Sequence, residues 1–476
     1  MKKSRISRRN FLGTAATVGA AGVIGPAIIT SCSSDKGATF KPVPEGAWLD
    51  QAPDGPVLKA GVIGCGGRGS GAAINFLNAG PNLQITALGD TFRDRLDSCK
   101  AGILKQKGQE VPEENCFVGF DAYQKVIDSG VDIIITATPP YFRPEILAAA
   151  VAARKHIFAE KPVCVDPVGA RSVMATALKA KELGLTIVTG TQRRHQRNFN
   201  HTYQQVKAGA IGDIVGGNFW WNGGKLWHRD NNPAWTEMEW MIRDWVNWIW
   251  LSGDHIVEQH VHNLDVMHWF FGTHPVAARG MGSRQRRVTG DQFDNFAVEY
   301  VFENGTHVHS QCRQINGCWN LEANRVQGTK GSSNCQDSIL DLAGAEIWKY
   351  GYPLNDQGEP NPRAMKPGMD QEHVDFVTSI RNNQAFNELE NTAISTMIAI
   401  MGRVSAYTGK EVTWDEMMNS DMKLGPQVFA LGPVDIPKAV PIPGEAYDPI
   451  AEQKRNAERA AARAKREAAG TPPPTN

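Results

Sequence analysis

The sequence predicts an α/β protein: a doubly wound parallel sheet, then an α+β domain on a large, open, mostly antiparallel sheet. Three observations carry this expectation. From Leu58 to about Gln192, apolar strand-like runs alternate with helical segments, the rhythm of a parallel sheet covered by helices on both faces. From Gly212 the rhythm changes, and strand-like segments follow one another without crossover helices. Between the first two strands stands Gly64-Cys65-Gly66-Gly67-Arg68-Gly69, a glycine-rich turn that opens a helix.

The elements follow in order. Leu58 to Ile63 reads as a short buried strand, Ser70 to Ala79 as a helix, and Leu83 to Leu88 as a second strand leading to Asp90. This is the pattern a dinucleotide needs. The first glycine permits a tight turn, the second lets the backbone approach a pyrophosphate, and the third lets the helix pack close. The helix N-terminus then faces the phosphate charge. Asp90 can accept both hydroxyls of an adenosine ribose and would repel a 2′-phosphate, which favours NAD. Arg93 and Arg95 nearby leave NADP open. Phe117 to Asp128 precedes a third strong strand, Val131 to Thr136, which ends in Ala137-Thr138-Pro139-Pro140. A helix at Glu145 to Arg154, a strand at His156 to Ala159, a helix at Pro167 to Leu183 and a strand at Leu185 to Gly190 complete the alternation. Beyond Gly212, the strand-like segments are Ile214–Trp221, Val276–Arg284, Asn295–Phe302, Thr306–Gln314 and Asn320–Gly328. Gln371–Asn382 and Glu390–Thr408 read as helices. The expected domains are therefore 56–192 and 193–440, after a polar linker at 33–55.

The chain ends read differently. Ser7-Arg8-Arg9-Asn10-Phe11-Leu12 resembles a twin-arginine export signal, and Gly13 to Thr30 is too weakly apolar for a membrane span. Ile29-Thr30-Ser31-Cys32 resembles a bacterial lipobox. Residues 1–32 thus read as a removable signal, with a lipid anchor at Cys32 and a periplasmic body. Residues 441–476, rich in Ala, Arg, Lys and Glu and without an apolar stripe, read as a solvated helix or disordered tail. The 50 basic and 50 acidic residues cancel, and no basic stripe suggests a nucleic-acid partner. The cysteines match no zinc spacing, although Cys312, Cys318 and Cys335 could pair in an oxidising compartment.

Two segments carry candidate chemistry. Glu160-Lys161-Pro162 falls at the carboxyl end of a parallel strand, where open α/β sheets bind ligands. A lysine there can stabilise alkoxide character at a substrate hydroxyl. The second segment, Gly253 to Asp265, holds three histidines and three carboxylates within twelve residues. As a helix it puts Glu258 and His262 on one face, where the carboxylate could orient an imidazole for proton transfer. As a strand it aligns Glu258, His260 and His262, which could instead grip a metal. Plain core histidines are the bland alternative. Nine of the thirteen tryptophans fall between Trp220 and Trp269, and indole rings stack well on sugar faces.

Together these residues resemble the Gfo/Idh/MocA family of NAD(P)-dependent oxidoreductases, from about Leu58 to Trp414. The marks are Gly64–Gly69, Ala137-Thr138-Pro139, Glu160-Lys161-Pro162, and Glu258–Asp265 against the family's Asp-x-Gly-x-His-x-x-Asp. Glu372-His373-Val374-Asp375-Phe376 and Val412-Thr413-Trp414-Asp415-Glu416 add to them. The resemblance implies a Rossmann domain and a second domain whose open sheet faces the nicotinamide. It implies cofactor contacts from Gly64, Gly66, Gly67, Arg68, Gly69, Asp90, Thr138, Pro139, Glu160 and Lys161. Lys161 would also position substrate, His262 would accept the proton with Glu258 beside it, and Asp265 and His260 would lie at the substrate. No metal belongs to this reading. Glu258 and His260 replace the family's Asp and Gly, and Arg143 stands where a histidine is usual. The implied activity is hydride transfer between a tightly bound NAD, with NADP possible, and a hydroxyl carbon of a sugar or glycoside, in a homo-oligomer. Because NAD is scarce outside the cytoplasm, the cofactor would be loaded before export and retained. Two alternatives are a redox-neutral glycoside hydrolase or lyase using transient ring oxidation, and a non-catalytic anchored ligand-binding protein.

Overall fold

The computed structural model describes residues 48–444 and four tail positions, Lys454, Glu458, Ala461 and Lys465, which are helical and exposed. The signal and lipobox at 1–32 lie outside the described residues, as does most of the tail. Strands β1 (Leu58–Ile63), β2 (Leu83–Asp90), β3 (Cys116–Val118), β4 (Ile133–Thr136), β5 (His156–Ala159) and β6 (Ile187–Thr189) form one sheet. Its order is β3-β2-β1-β4-β5-β6, and every pairing is parallel. The crossover helices are α1 (Gly67–Asn78), α2 (Arg93–Lys107), α3 (Ala122–Asp128), α4 (Arg143–Ala152) and α5 (Pro167–Glu182). Central β4 is Ile-Ile-Ile-Thr, buried throughout, as a strand covered on both faces requires. Strand order reverses between β1 and β4, and that switch point opens the ligand crevice.

Two details depart from the sequence reading. A further strand, β3, precedes the one expected third; it is a three-residue edge strand with no fully buried position, so it carries no periodic signal. Helix α1 starts at Gly67, not Ser70, because Gly66 already serves as its N-cap.

The second half begins with α6 (Arg197–Lys207), β7 (Ile214–Gly223), α7 (Glu237–Arg243), α8 (Ile249–Ser252), α9 (His255–Glu258) and α10 (Val261–Phe271). There follow β8 (Ala277–Ser283), β9 (Asn295–Val301), β10 (His307–Gln314), β11 (Leu321–Gly328), β12 (Gly331–Ser333), β13 (Ser338–Asp341) and β14 (Glu346–Lys349). Next come α11 (Gly368–Arg381), α12 (Leu389–Thr408), β15 (Glu411–Thr413) and α13 (Trp414–Asn419). Their nine-stranded sheet runs β14-β13-β12-β11-β7-β10-β9-β8-β15, antiparallel except for the β7–β10 pair. Buried Val308, Ser310, Cys312 and Gln314 alternate along β10, so one sheet face turns inward.

The described residues form one compact unit. Val374, Phe376 and Val377 of α11 join Phe76, Phe158 and Val188 in the core of the first sheet. Helix α12 packs on both α5 and β8. Residues well beyond 192 therefore complete the core of the first sheet. Among the described residues no helix is long and apolar enough to cross a membrane. Cys312 and Cys335 are buried, Cys318 is exposed, and all three are free thiols.

Candidate active site

The glycine loop turns directly from β1 into α1. Gly64 takes φ +90°, and a Cβ there would meet the Thr138 amide nitrogen at 2.7 Å. A Cβ on Gly69 would lie 1.8 Å from the Gly64 carbonyl, so helix and strand touch backbone to backbone. Gly66 and Gly67 are the opposite case, with nothing within 4 Å of an added Cβ. That open side lines a cavity of about 740 Å³ together with Arg68, Asp90, Arg95, Thr138 and Pro139. Thr138 Oγ1 is buried there without a partner. A backbone cradle, a helix N-terminus and an orphaned hydroxyl fit the pyrophosphate and ribose of a dinucleotide.

Asp90 closes β2, where its Oδ2 accepts from the Cys65 amide at 2.7 Å and its Oδ1 from the Phe92 amide at 2.9 Å. Burial pushes its carboxyl up, against the pull of those two amides. Of the two arginines that leave NADP open, Arg95 lines the cavity. Arg93 pairs with Asp97 and Glu113.

The loops after β4 and β5 are tied to this cradle. Arg68 pairs with Glu160 and, at 3.3 Å, with buried Glu372. Burial pushes the Glu372 carboxyl well up, and the Glu160 charge adds to the effect against the pull of Arg68. Arg143 is fully enclosed and donates to the carbonyls of Glu160 (3.0 Å), Pro162 (2.5 Å) and Thr138 (2.5 Å). It fastens two loops to each other.

Lys161 reaches across to the second half. Its Nζ donates to the carboxylate of Glu258 at 2.9 Å and to the carbonyl of Glu258 at 2.5 Å. The second bond exists because the helix breaks. Helix α9 ends at Glu258 and α10 begins at Val261, with Gln259 and His260 between them. The His262 amide therefore turns to the Gln259 carbonyl, leaving the Glu258 carbonyl to Lys161. The expected single helix across Glu258 and His262 is thus two short ones, and no hydrogen bond joins the two side chains. Upstream, buried Asp254 takes φ +72° and caps α9. Its carboxylate accepts from the Tyr407 hydroxyl and, at 3.0 Å, from the Phe293 amide.

Although burial opposes ionisation, the Lys161 ammonium holds the Glu258 carboxyl below the ordinary range. His262 is buried and stacks on Trp221 at 5.6 Å between ring centroids. Burial, then the charges of Lys161, Arg193 and Arg68, push its imidazole well below the usual histidine value. It is therefore a neutral base at neutral pH.

Other expected site residues are engaged elsewhere. His260 is fully enclosed and shares a 2.6 Å bond with Ser310. Burial pushes it down to about 3. The carboxylate of Asp265 takes both nitrogens of Arg194 at 2.8 and 2.9 Å and the Ser395 hydroxyl at 2.8 Å. Both therefore depart from the expected substrate contacts: they face the core. Among the described residues no group of His, Cys, Asp and Glu is arranged to hold a metal.

The sequence reading missed Arg193, which stacks over Trp221 and bonds Asn263 and Glu322. Its signal was legible as Arg193-Arg194-His195, three cationic residues soon after β6, at the ligand-binding edge. Also missed was a wall of the cavity supplied by the second half, with Trp227, Arg229, Arg243 and Trp245.

Residues 58–188 match the family described as "Oxidoreductase family, NAD-binding Rossmann fold", and residues 199–334 match its C-terminal domain. The chain is 25% identical over 233 residues to a 2,7-anhydro-N-acetylneuraminate hydratase of Escherichia coli, covering 48% of this chain and 53% of that protein. To a scyllo-inositol 2-dehydrogenase (NAD(+)) of Bacillus subtilis it is 22% identical over 278 residues, covering 58% and 72%. The chain thus spans about half of the first relative and under three quarters of the second. A scyllo-inositol dehydrogenase from Lactobacillus casei, solved with NAD(H) and scyllo-inositol, shares the fold with a TM-score of 0.56. That likeness holds at 20% identity over 75% of this chain and 99% of the other.

Proposed function

From the premise that this chain belongs to the Gfo/Idh/MocA oxidoreductase family and binds NAD, we propose that it moves hydride between a tightly held NAD and a hydroxyl carbon of a sugar, inositol or glycoside. The observation that carries this reading is the Lys161–Glu258 ion pair, made from the loop that Arg68 ties to the glycine cradle through Glu160, with His262 four residues beyond Glu258. Bound NAD supplies the hydride acceptor. Neutral His262 takes the proton of the substrate hydroxyl, and Lys161 stabilises the oxygen as negative charge develops. Glu258 keeps the ammonium in place from the second half of the chain, and Trp221 holds the imidazole plane and offers an apolar face beside it. Export through residues 1–32, a lipid anchor at Cys32 and self-association belong to the same proposal, supported by the signal-like sequence for the first two.

Denaturing the purified protein and identifying the released nucleotide by mass is the first test. Next, the loaded enzyme is offered inositols, aldoses and glycosides while nicotinamide absorbance is followed. Recovery of no dinucleotide, either bound or bindable, would end this reading. A second reading, in which hydride returns within each cycle and the net reaction is elimination or hydrolysis, is favoured by the likeness to a hydratase. Release of an aryl leaving group from a glycoside without added acceptor would select it.

A further inference from the structure

The cavity that takes the glycine loop has a second wall, and it comes from the other half of the chain. Trp227, Arg229, Ile242, Arg243, Trp245 and Phe429 line the same space as Gly64, Asp90 and Thr138. Two stretches carry these residues: 224–248, which contains α7, and 424–438.

Both stretches are stitched down. Arg243 makes two bonds to Asp94 on α2, at 2.8 and 3.0 Å, and lies 4.1 Å from the ring centroid of Phe92. At the other end of α7, Glu237 accepts from the Val434 amide at 2.8 Å and from Lys438 at 2.6 Å. The Met238 amide donates to the Gly432 carbonyl at 3.0 Å. The Leu424 amide bonds Asp166 at 2.9 Å, and Phe429 packs its ring against Phe120, Tyr141 and Phe142. Beneath them, Phe92, Met238, Met241, Trp248, Trp250 and Val434 share one apolar cluster. A cover joined this way is a built element of the cavity.

Its position identifies what it covers. The carboxylate that closes β2 marks the adenosine ribose in a parallel dinucleotide fold. Phe92 stands two residues beyond Asp90, and Arg243 lies against Phe92, so the cover sits at the adenosine end. Its lining suits that moiety. Arg229 lies 5.5 Å over Trp227, and indole and guanidinium planes both stack on an adenine ring.

We infer that residues 224–248 and 424–438 form the outer half of the adenosine site, with Trp227 and Arg229 contacting the nucleotide and the Arg243–Asp94 pair controlling its escape. This rests on the dinucleotide reading and deepens it: NAD leaves only when the cover parts, so it stays through turnover as a resident group.

The test is the rate at which bound NAD leaves the full-length protein on dilution into excess scavenger, read by chromatography of protein-bound nucleotide. Arg243→Ala and Asp94→Asn each remove a charge-assisted pair and are expected to speed release about tenfold or more. Trp227→Ala does the same by removing a stacking face. The double exchange Asp94→Arg with Arg243→Asp restores slow release. Should Arg243→Ala fail to fold, Asp94→Asn decides, since Asp94 is 59% exposed. Release as slow in Asp94→Asn and Trp227→Ala as in the parent overturns the cover while leaving the NAD reading intact. A parent protein that binds no NAD overturns both.

Discussion

The ammonium of Lys161 holds two oxygens of one residue, the carboxylate and the backbone carbonyl of Glu258, at 2.9 and 2.5 Å. The lysine comes from the loop after a parallel strand and the glutamate from the end of a short helix in the other half. The pair therefore sets the distance between the cofactor cradle and the base, and it does so at the point where the helix is interrupted. A carboxylate alone would fix the charge; adding the carbonyl fixes the direction of the Nζ.

Removing either member should separate chemistry from binding. Lys161→Ala is expected to cut kcat about a hundred- to ten-thousandfold while NAD content stays near one per chain. Glu258→Gln, which keeps both oxygen acceptors and loses the charge, should cost less. Steady-state kinetics with nucleotide quantification checks this, and equal losses in the two variants would contradict the assigned roles.

His262→Asn should lower kcat by a similar factor of about a hundred or more. In the parent, His262 sits well below the usual histidine value, so activity should persist to more acidic pH than an ordinary histidine, near 6.5, would allow. The acidic limb of the kcat profile should vanish in His262→Asn. A limb that remains unchanged would assign proton transfer to another group.

The glycine loop predicts two distinct failures. Gly69→Ala drives a methyl into the Gly64 carbonyl and should destabilise even the empty protein, by about 3 kcal/mol or more. Gly67→Ala meets open space and should leave the melting temperature of the empty protein nearly unchanged while weakening NAD binding. Thermal unfolding with and without NAD distinguishes them.

Arg143→Ala leaves three inward carbonyls without a donor, each costing about 1–3 kcal/mol. A large fall in melting temperature, with NAD affinity falling alongside it, is the expected result. A variant that lost NAD affinity at unchanged stability would instead make Arg143 an anion contact.

The buried histidines should each contribute a loss of stability on acidification from about pH 7 to 4. Burial holds His156, His260, His262, His268 and His373 below the ordinary histidine value. In that window the unfolded chain binds protons that the native state refuses, so each pH unit favours unfolding by up to about 1.4 kcal/mol per such group. His195 acts in the opposite sense. Burial opposes its protonation, but Glu388 and Asp375 raise it well above the usual value, so its contribution is full at low pH and lost as pH rises. Glu372, Asp90, Asp244 and Asp291, which burial raises, the last to about 7, oppose the five histidines too. The histidine share is therefore read by chemical denaturation across pH as the part of the slope lost in His268→Asn.

Much of this architecture was legible because its signals are local. The cradle was readable from Gly64 to Asp90 since its glycines, the helix start and the closing carboxylate all fall within one βαβ unit. Lys161, Glu258 and His262 stood out by residue type and by position at a strand end or in a charged cluster. What escaped was set by tertiary contact. No periodicity reveals that the helix breaks at Gln259, because the break is stabilised by a lysine 97 residues upstream. Asp265 and His260 have the residue types of a site, and only the positions of Arg194 and Ser310 show that they serve the core. The cover over the adenosine end is built from stretches about 190 residues apart, each of which reads alone as a tryptophan-rich or proline-rich loop.

Helix α11 completes the core of the first sheet from a position nearly two hundred residues beyond its last strand. During synthesis, then, the nucleotide fold stays unfinished until the ribosome has passed residue 381, when the substrate sheet has already emerged. The two halves are translated in sequence but mature together, so a chain stalled before α11 would present an apolar seam along α1 where a finished protein presents none.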